Sequence, residues 1–177
     1  MNPWHDVPTN KKSPEIVNSI IEIPKNSQLK YELDKKTGLL KLDRYLYSAV
    51  HYCGDYGFIP RTLAEDNDPL DILVISNLPT YPLTLCEIKI LGMIKIKDAK
   101  DEDDKIIGVH ASDPRYSQWN SLKEVPKHFI KEIKEFFKTY KKLQKKKVRV
   151  QDIYGRREAY KMINKSIEAY DKKFGRE

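Results

Sequence analysis

Apolar positions recur at a period of two over the first part of this chain and at three- and four-residue steps towards its end. IVNSIIEI (16–23) is rich in β-branched residues and is stopped by Pro24, which predicts a strand. KYELDKKTGLLKLDRYLY (30–47) carries two alternating runs around Gly38 and predicts a hairpin. DILVIS (71–76) is a short apolar run suited to a buried strand, and KIIGVHA (105–111) reads as another. LTLCEIKILGMIKI (83–96) is a long β-rich run, with Gly92 as its expected bend or bulge. HYCGDYGF (51–58), with two glycines, reads as a turn.

The period then changes. In 126–144, Phe129, Ile130, Ile133, Phe136, Phe137, Tyr140 and Leu143 share one face with lysines between them, predicting an amphipathic helix started by Pro126. Tyr160, Ile163, Ile167, Tyr170 and Phe174 predict a second helix from about residue 157. Strands first and helices last predict an α+β fold, mainly β, and several short strands predict a small closed barrel.

The 177 residues suit one domain spanning 1–177, with a polar, proline-punctuated N-terminal arm over 1–15. No leader-like apolar segment and no run approaching a membrane span is present, so neither secretion nor membrane insertion is expected. Cys53 and Cys86 stand far apart and are expected as free thiols, and the four histidines lack zinc-ligand spacing. The net charge is +7. It is uneven: residues 123–177 hold 18 Lys+Arg against 8 Asp+Glu. That excess fits an anionic ligand or a solvated helical face.

Candidate chemistry begins at EDNDPLDIL (65–73), where Asp66, Asp68 and Asp71 crowd against an apolar strand. With Asp66 and Asp68 alternating to one side of an extended segment and Asp71 at the strand entrance, three hard oxygen anions suit Mg²⁺ or Mn²⁺. An acidic turn with no ligand is the other reading. A calcium loop of the EF-hand type fails by position, because its sixth residue would be Asp71 and its twelfth Asn77. KDAKDEDDK (97–105) is a second acidic stretch, read alone as a solvated hairpin turn. If both clusters met at one barrel mouth they would surround more than one metal ion, which lowers the pKa of a shared water. Lys30 and Glu32 share a strand face, Arg44 stands in LDRYL, and Tyr56, Tyr140 and Lys141 complete a set suited to a magnesium–phosphate substrate. Each has a plainer reading: surface charge for Lys30 and Arg44, core packing for Tyr56 and Tyr140.

The residues resemble the family I soluble inorganic pyrophosphatases. Asp66-Asn67-Asp68-Pro69-Leu70-Asp71-Ile72 matches that family's D-x-D-P-x-D signature. IEIP, KYELD, LDRY, YGFIP, the 97–105 loop and FFKTYKKL follow in the family's order, over roughly residues 16–150. The resemblance implies an OB-like five-stranded closed barrel flanked by two helices from the C-terminal half, with the active site at its mouth. It implies hydrolysis of magnesium pyrophosphate, with Asp66, Asp71, Asp98 and Asp103 as metal ligands and Asp68 as general base. Lys30, Arg44, Tyr56, Tyr140 and Lys141 would meet substrate; Glu22, Glu32 and Lys105 would line the site. It also implies a cytoplasmic homo-oligomer, a hexamer rather than a dimer. The chain departs from the family at Cys53-Gly54-Asp55, where Pro-Cys-Asn or a similar tripeptide is frequent.

Two other classes compete. An OB-type nucleic-acid module is favoured by the pI of 9.2, but two acidic clusters at its mouth would repel a phosphate backbone. A nucleotide phosphohydrolase lacks support from any GxxxxGK[ST] loop. Neither a nucleic acid nor a membrane is therefore expected as a partner.

Overall fold

The computed structural model describes residues 2–99 and 101–175, so Lys100 in the acidic loop and residues 1, 176 and 177 lie outside the described residues. In chain order the elements are α1 (Pro3–Asp6), β1 (Ile16–Ile23), β2 (Leu29–Leu33), β3 (Leu40–Tyr45), β4 (Asp55–Phe58) and β5 (Asp71–Ile75). There follow β6 (Leu85–Asp98), β7 (Asp101–Glu102), β8 (Lys105–His110), α2 (Lys127–Thr139), β9 (Val148–Gly155) and α3 (Arg156–Phe174).

Five strands close on themselves in the order β1-β4-β5-β8-β6, and β6 pairs back onto β1. This is the expected small closed barrel. All the barrel pairings are antiparallel except β5 with β8, which run parallel. Closure removes free sheet edges and leaves a mouth where loops from several strands meet. Ile72, Leu73 and Val74 are each fully buried, as are Ile106, Ile107 and Val109 on the neighbouring strand. Strands buried on both faces read as continuous apolar runs, which is why these two were visible in the sequence.

The bend expected at Gly92 is there. The β6–β8 register slips between Ile90 and Gly92, and a Cβ at Gly92 would lie 2.3 Å from the Tyr154 carbonyl oxygen. The β2–β3 hairpin turns over residues 34–39, with Asp34 Oδ1 accepting from the Thr37 amide (2.8 Å) and hydroxyl (2.8 Å).

The structure corrects four expectations. HYCGDYGF is not a turn, since β4 occupies Asp55–Phe58 and every residue of it is buried. Gly57 is there because a Cβ would sit 1.9 Å from the Ile20 carbonyl oxygen of β1. Close approach of backbones requires glycine inside a strand as readily as a turn does. β9 lies between the two helices and pairs with β6, so strands do not all precede helices. The α2 stripe ends before Leu143, which is 60% exposed in a short 3₁₀ turn. Finally, Asp66 and Asp68 do not sit in an extended segment. The Asp68 amide donates to Asp66 Oδ1 (3.0 Å), and Asn67 has φ of +68°, so the chain turns there.

Two helices cover the barrel. Ile133, Phe136, Phe137 and Tyr140 from α2 and its C-cap pack with Tyr52, Tyr56 and Leu91. Ala159 and Ile163 of α3 pack with Ile90, Met93 and Ile72. Each fully buried Ile or Phe contributes about 1.5–3 kcal/mol relative to exposure, so the two faces are a main source of stability. The N-terminal arm is docked: Trp4 is buried against Phe58 and Tyr170 and donates Nε1–H to the Thr62 carbonyl (2.8 Å). Both cysteines are free thiols, and burial pushes Cys53 up to about 12. Among the described residues, no helix is long and apolar enough to cross a membrane.

Candidate active site

The barrel mouth opens into a cleft of about 630 Å³. β5 starts it with Asp71. The parallel register pairs Ile72 with Ile106, which sets Asp71 and Lys105 beside each other at the same end of adjacent strands. Lys105, nearly fully buried, donates to both Asp71 and Asp103, and Tyr56 Oη donates to Asp71 Oδ2 at 2.6 Å. Burial works against the Lys105 charge, but the two carboxylates outweigh it and hold the ammonium well above the usual lysine range. Burial also opposes the Asp103 anion, and Lys105 outweighs it in turn, leaving Asp103 below its usual range.

Within the acidic 97–105 stretch β6 and β7 pair antiparallel, with Asp98 opposite Asp101 and Lys97 opposite Glu102. Its five carboxylates take different roles. Asp98 contacts the buried Lys141, Asp103 contacts Lys105, and Asp104 Oδ1 accepts from the Ile96 amide (3.1 Å). Asp101 and Glu102 stand on the cleft's rim, Asp101 exposed. Burial pulls the Lys141 ammonium below its usual range in spite of Asp98.

Glu22 is buried on β1 and accepts from the Leu33 amide at 2.7 Å. Burial and the neighbouring Asp71 charge push it up to about 8. On β2 Lys30 contacts Glu32 and lies 3.5 Å from Asp43 of β3. Tyr140 is buried by packing at 5.2 Å on the Phe136 ring, yet it also lines the cleft, so it belongs to both core and site. Burial raises the phenols of Tyr56 and Tyr140, leaving both as hydrogen-bond donors.

Asp66, Asp68, Asp71, Asp98, Asp103, Lys30, Tyr56, Tyr140, Lys141, Glu22, Glu32 and Lys105 all line this cleft. Arg44 does not, because its Nε donates to Asp43 Oδ2 (2.7 Å) and Nη1 to Gln144 Oε1 (3.4 Å). The lining also includes Trp4, Tyr31, Lys35 and the run Lys145–Lys146–Lys147, none of which was singled out from the sequence. Lysine runs on a basic chain carry no positional signal, and Trp4 reaches the cleft only through the docking of the arm. Asp55, from the departing tripeptide, is fully buried and accepts from the Lys25 amide (2.8 Å) and the Thr80 hydroxyl (2.7 Å), with His110 Nε2 at 3.6 Å. It anchors loops and takes no place in the cleft lining.

Among the described residues, no three acidic or imidazole groups converge into a preformed cation site; the carboxylates meet lysines instead. The donor set still suits a hard divalent cation. Asp66, Asp71, Asp98 and Asp103 are oxygen donors from separate loops, and Glu22, held up to about 8 by burial and the Asp71 charge, has, among the described residues, only the Leu33 amide on its carboxylate, so added positive charge would favour its ionised form.

Comparison with known proteins gives a consistent result. The family model described as Inorganic pyrophosphatase matches residues 19–171. Soluble inorganic pyrophosphatase 2 of Chlamydomonas reinhardtii is 44% identical over 173 residues, covering 98% of this chain and 90% of that protein. Soluble inorganic pyrophosphatase 1 of Arabidopsis thaliana is 46% identical over 169 residues, covering 96% and 80%. The crystal structure of the Thermus thermophilus inorganic pyrophosphatase superposes with a TM-score of 0.93 at 41% identity, covering 97% of this chain and 99% of the other.

Proposed function

This chain belongs to the inorganic pyrophosphatase family, and from that premise we propose that it is a diphosphatase, hydrolysing inorganic pyrophosphate to two phosphates with Asp68 as general base. The observation that carries the reading is the meeting of two acidic loops, 65–71 and 97–105, with Lys30, Lys105, Lys141, Tyr56 and Tyr140 in one cleft. Acidic side chains alone would repel a polyanion, and basic ones alone would bind it without activating water. Both together suit a substrate that arrives as a magnesium complex.

Asp66, Asp71, Asp98 and Asp103 would hold Mg²⁺, with Mn²⁺ as a substitute and Glu22 and Glu32 within reach directly or through water. Cations held there would supply a water of lowered pKa and offset substrate charge. Lys30, Tyr140 and Lys141 hold phosphate oxygens and the departing phosphate, joined by Arg44 once it leaves Asp43. Tyr56 stands by the attacking water, and Asp68 takes its proton. The family resemblance also leads us to place the enzyme in the cytoplasm as a homo-oligomer, a hexamer rather than a dimer.

The direct test is phosphate release from pyrophosphate with and without Mg²⁺, against ATP as a competing substrate. Hydrolysis of ATP in preference, or Mg²⁺-independent release, overturns the reading. A finer test separates the acidic loop. Asp98→Asn and Asp103→Asn each raise the Mg²⁺ concentration needed for activity and lower turnover. Asp101→Asn and Asp104→Asn change either by no more than about twofold. Exposed charge is screened, and the amide oxygen introduced by Asp104→Asn would still accept from the Ile96 amide. Equal, modest shifts in all four variants would mean the loop acts through diffuse charge alone.

Tyr140→Phe keeps the ring packing and removes the hydroxyl. Melting temperature stays within about 2 °C, while kcat/KM falls by the equivalent of about 1–3 kcal/mol, one lost phosphate hydrogen bond. Unchanged kinetics at both limiting and saturating substrate would return Tyr140 to the core alone.

A further inference from the structure

Three carboxylates of the cleft meet a buried cation: Asp71 and Asp103 meet Lys105, and Asp98 meets Lys141. Asp68 stands apart from them. It projects from the exposed 65–68 turn with its side chain 53% accessible, and among the described residues the side chain seen to meet its carboxylate is Lys35. We infer that Lys35, from the turn of the β2–β3 hairpin, is a positioning residue that orients the Asp68 carboxylate for proton abstraction and is itself aimed by the docked N-terminal arm.

The geometry supports this on both sides of the contact. Lys35 Nζ donates to Asp68 Oδ1 and to the Asn67 carbonyl at 3.2 Å, so one ammonium grips side chain and backbone of the same turn. The ammonium also lies 5.4 Å from the centre of the Trp4 ring, within cation–π range. The hairpin turn that presents Lys35 is held by Asp34, which accepts from the Thr37 amide and hydroxyl. The arm takes hold of the same residue from the other side, since Asn2 Nδ2 donates to the Lys35 carbonyl at 3.0 Å. Trp4 in turn is fixed by its Nε1–H on the Thr62 carbonyl (2.8 Å) and by its own carbonyl, which accepts from the Arg61 amide at 2.9 Å. The 65–68 turn thus has a support that reaches it from two sequence-distant segments.

An exposed ion pair of this kind contributes little to stability. Its effect lies in geometry. A carboxylate on a solvent-exposed turn samples several rotamers, and a base that is misplaced by a fraction of an ångström transfers protons poorly. Lys35 restricts that sampling while contributing no ligand to substrate, so its removal lowers kcat and leaves KM alone.

This inference rests on the assignment of Asp68 as base, and the experiment separates the two. Steady-state kinetics of pyrophosphate hydrolysis at saturating Mg²⁺ are measured for Lys35→Met, Lys35→Arg, Asp68→Asn and the Lys35→Met/Asp68→Asn double variant, with melting temperatures for all four. Lys35→Met is expected to lower kcat by about tenfold, at the low end of the range for groups that act by supporting another residue of a site. KM stays within about twofold and the melting temperature is unchanged, as for other surface substitutions. Lys35→Arg restores most of kcat. In the Asp68→Asn background Lys35→Met adds nothing, because there is no base left to orient. Overturning results are distinct. A slow Asp68→Asn beside a fully active Lys35→Met removes Lys35 and leaves the base in place. A raised KM with unchanged kcat makes Lys35 a substrate cation instead. Additive losses in the double variant show that Lys35 acts independently of Asp68. A fully active Asp68→Asn removes the base, and the role of Lys35 with it.

Discussion

Asp68→Asn folds like its parent and hydrolyses pyrophosphate about 10²–10⁴-fold more slowly, the range set by loss of a general base. The substitution is isosteric and the side chain is half-exposed on a turn, so stability should change by no more than about 0.5 kcal/mol. The turn itself survives, because its hydrogen bond uses the Asp68 backbone amide and the Asp66 carboxylate. What disappears is the charged oxygen able to take the proton. Circular dichroism and melting confirm the fold, and initial rates of phosphate release measure the loss. Near-parental turnover would remove Asp68 from the mechanism and shift attention to Glu22 or Asp71 as the proton acceptor.

Lys105→Met has the largest expected effect on stability. The ammonium is almost wholly buried between Asp71 and Asp103, with Tyr56 also bonded to Asp71 and its ring 5.9 Å from the ammonium. Methionine matches the stem and removes the charge, leaving Asp71 and Asp103 near each other with the more distant Lys141 and Lys30 as the remaining positive charges on Asp103. Removing one partner of a buried ionic cluster costs about 3–5 kcal/mol. For a chain of this length that lowers the melting temperature by at least about 6 °C. Measured in EDTA the loss should be full. Adding Mg²⁺ should then raise the melting temperature of the variant more than that of the parent, since a bound cation replaces the missing positive charge. A variant melting within about 2 °C of its parent in EDTA would show that Asp71 and Asp103 shed their charge instead, by taking up protons.

Much of the barrel was legible from residue patterns. The buried strands β5 and β8 announced themselves as apolar runs, and the lysine-interleaved face of α2 fixed its period. β4 was hidden because its glycines look like turn residues in sequence; they are demanded by backbone contact with β1, which is a tertiary fact. β9 was hidden because it is partly exposed and wedged between helical patterns, so its alternation of Val148 and Val150 gained meaning only from pairing with β6.

At the site, Asp66, Asp68 and Asp71 could be named as one group from their spacing alone, because residues a few positions apart in a proline-punctuated loop remain near each other whatever the fold. Their union with Asp98, Asp103, Lys105 and Lys141 could be expected only through family resemblance. Periodicity has no term for which loops share a barrel mouth. The tertiary structure decided it through register: β5 and β8 run parallel, so the starts of both strands, Asp71 and Lys105, lie at one end, and the paired β6 end and β7 that precede β8 bring Asp98 and Asp103 to the same place. The same holds for Lys35 and Trp4, two ordinary residues by composition. Lys35 meets Asp68 with the Trp4 ring beside its ammonium because a docked arm and a hairpin turn, far apart along the chain, come together there. Sequence determined the chemistry available to this protein, and barrel closure determined which parts of it act together.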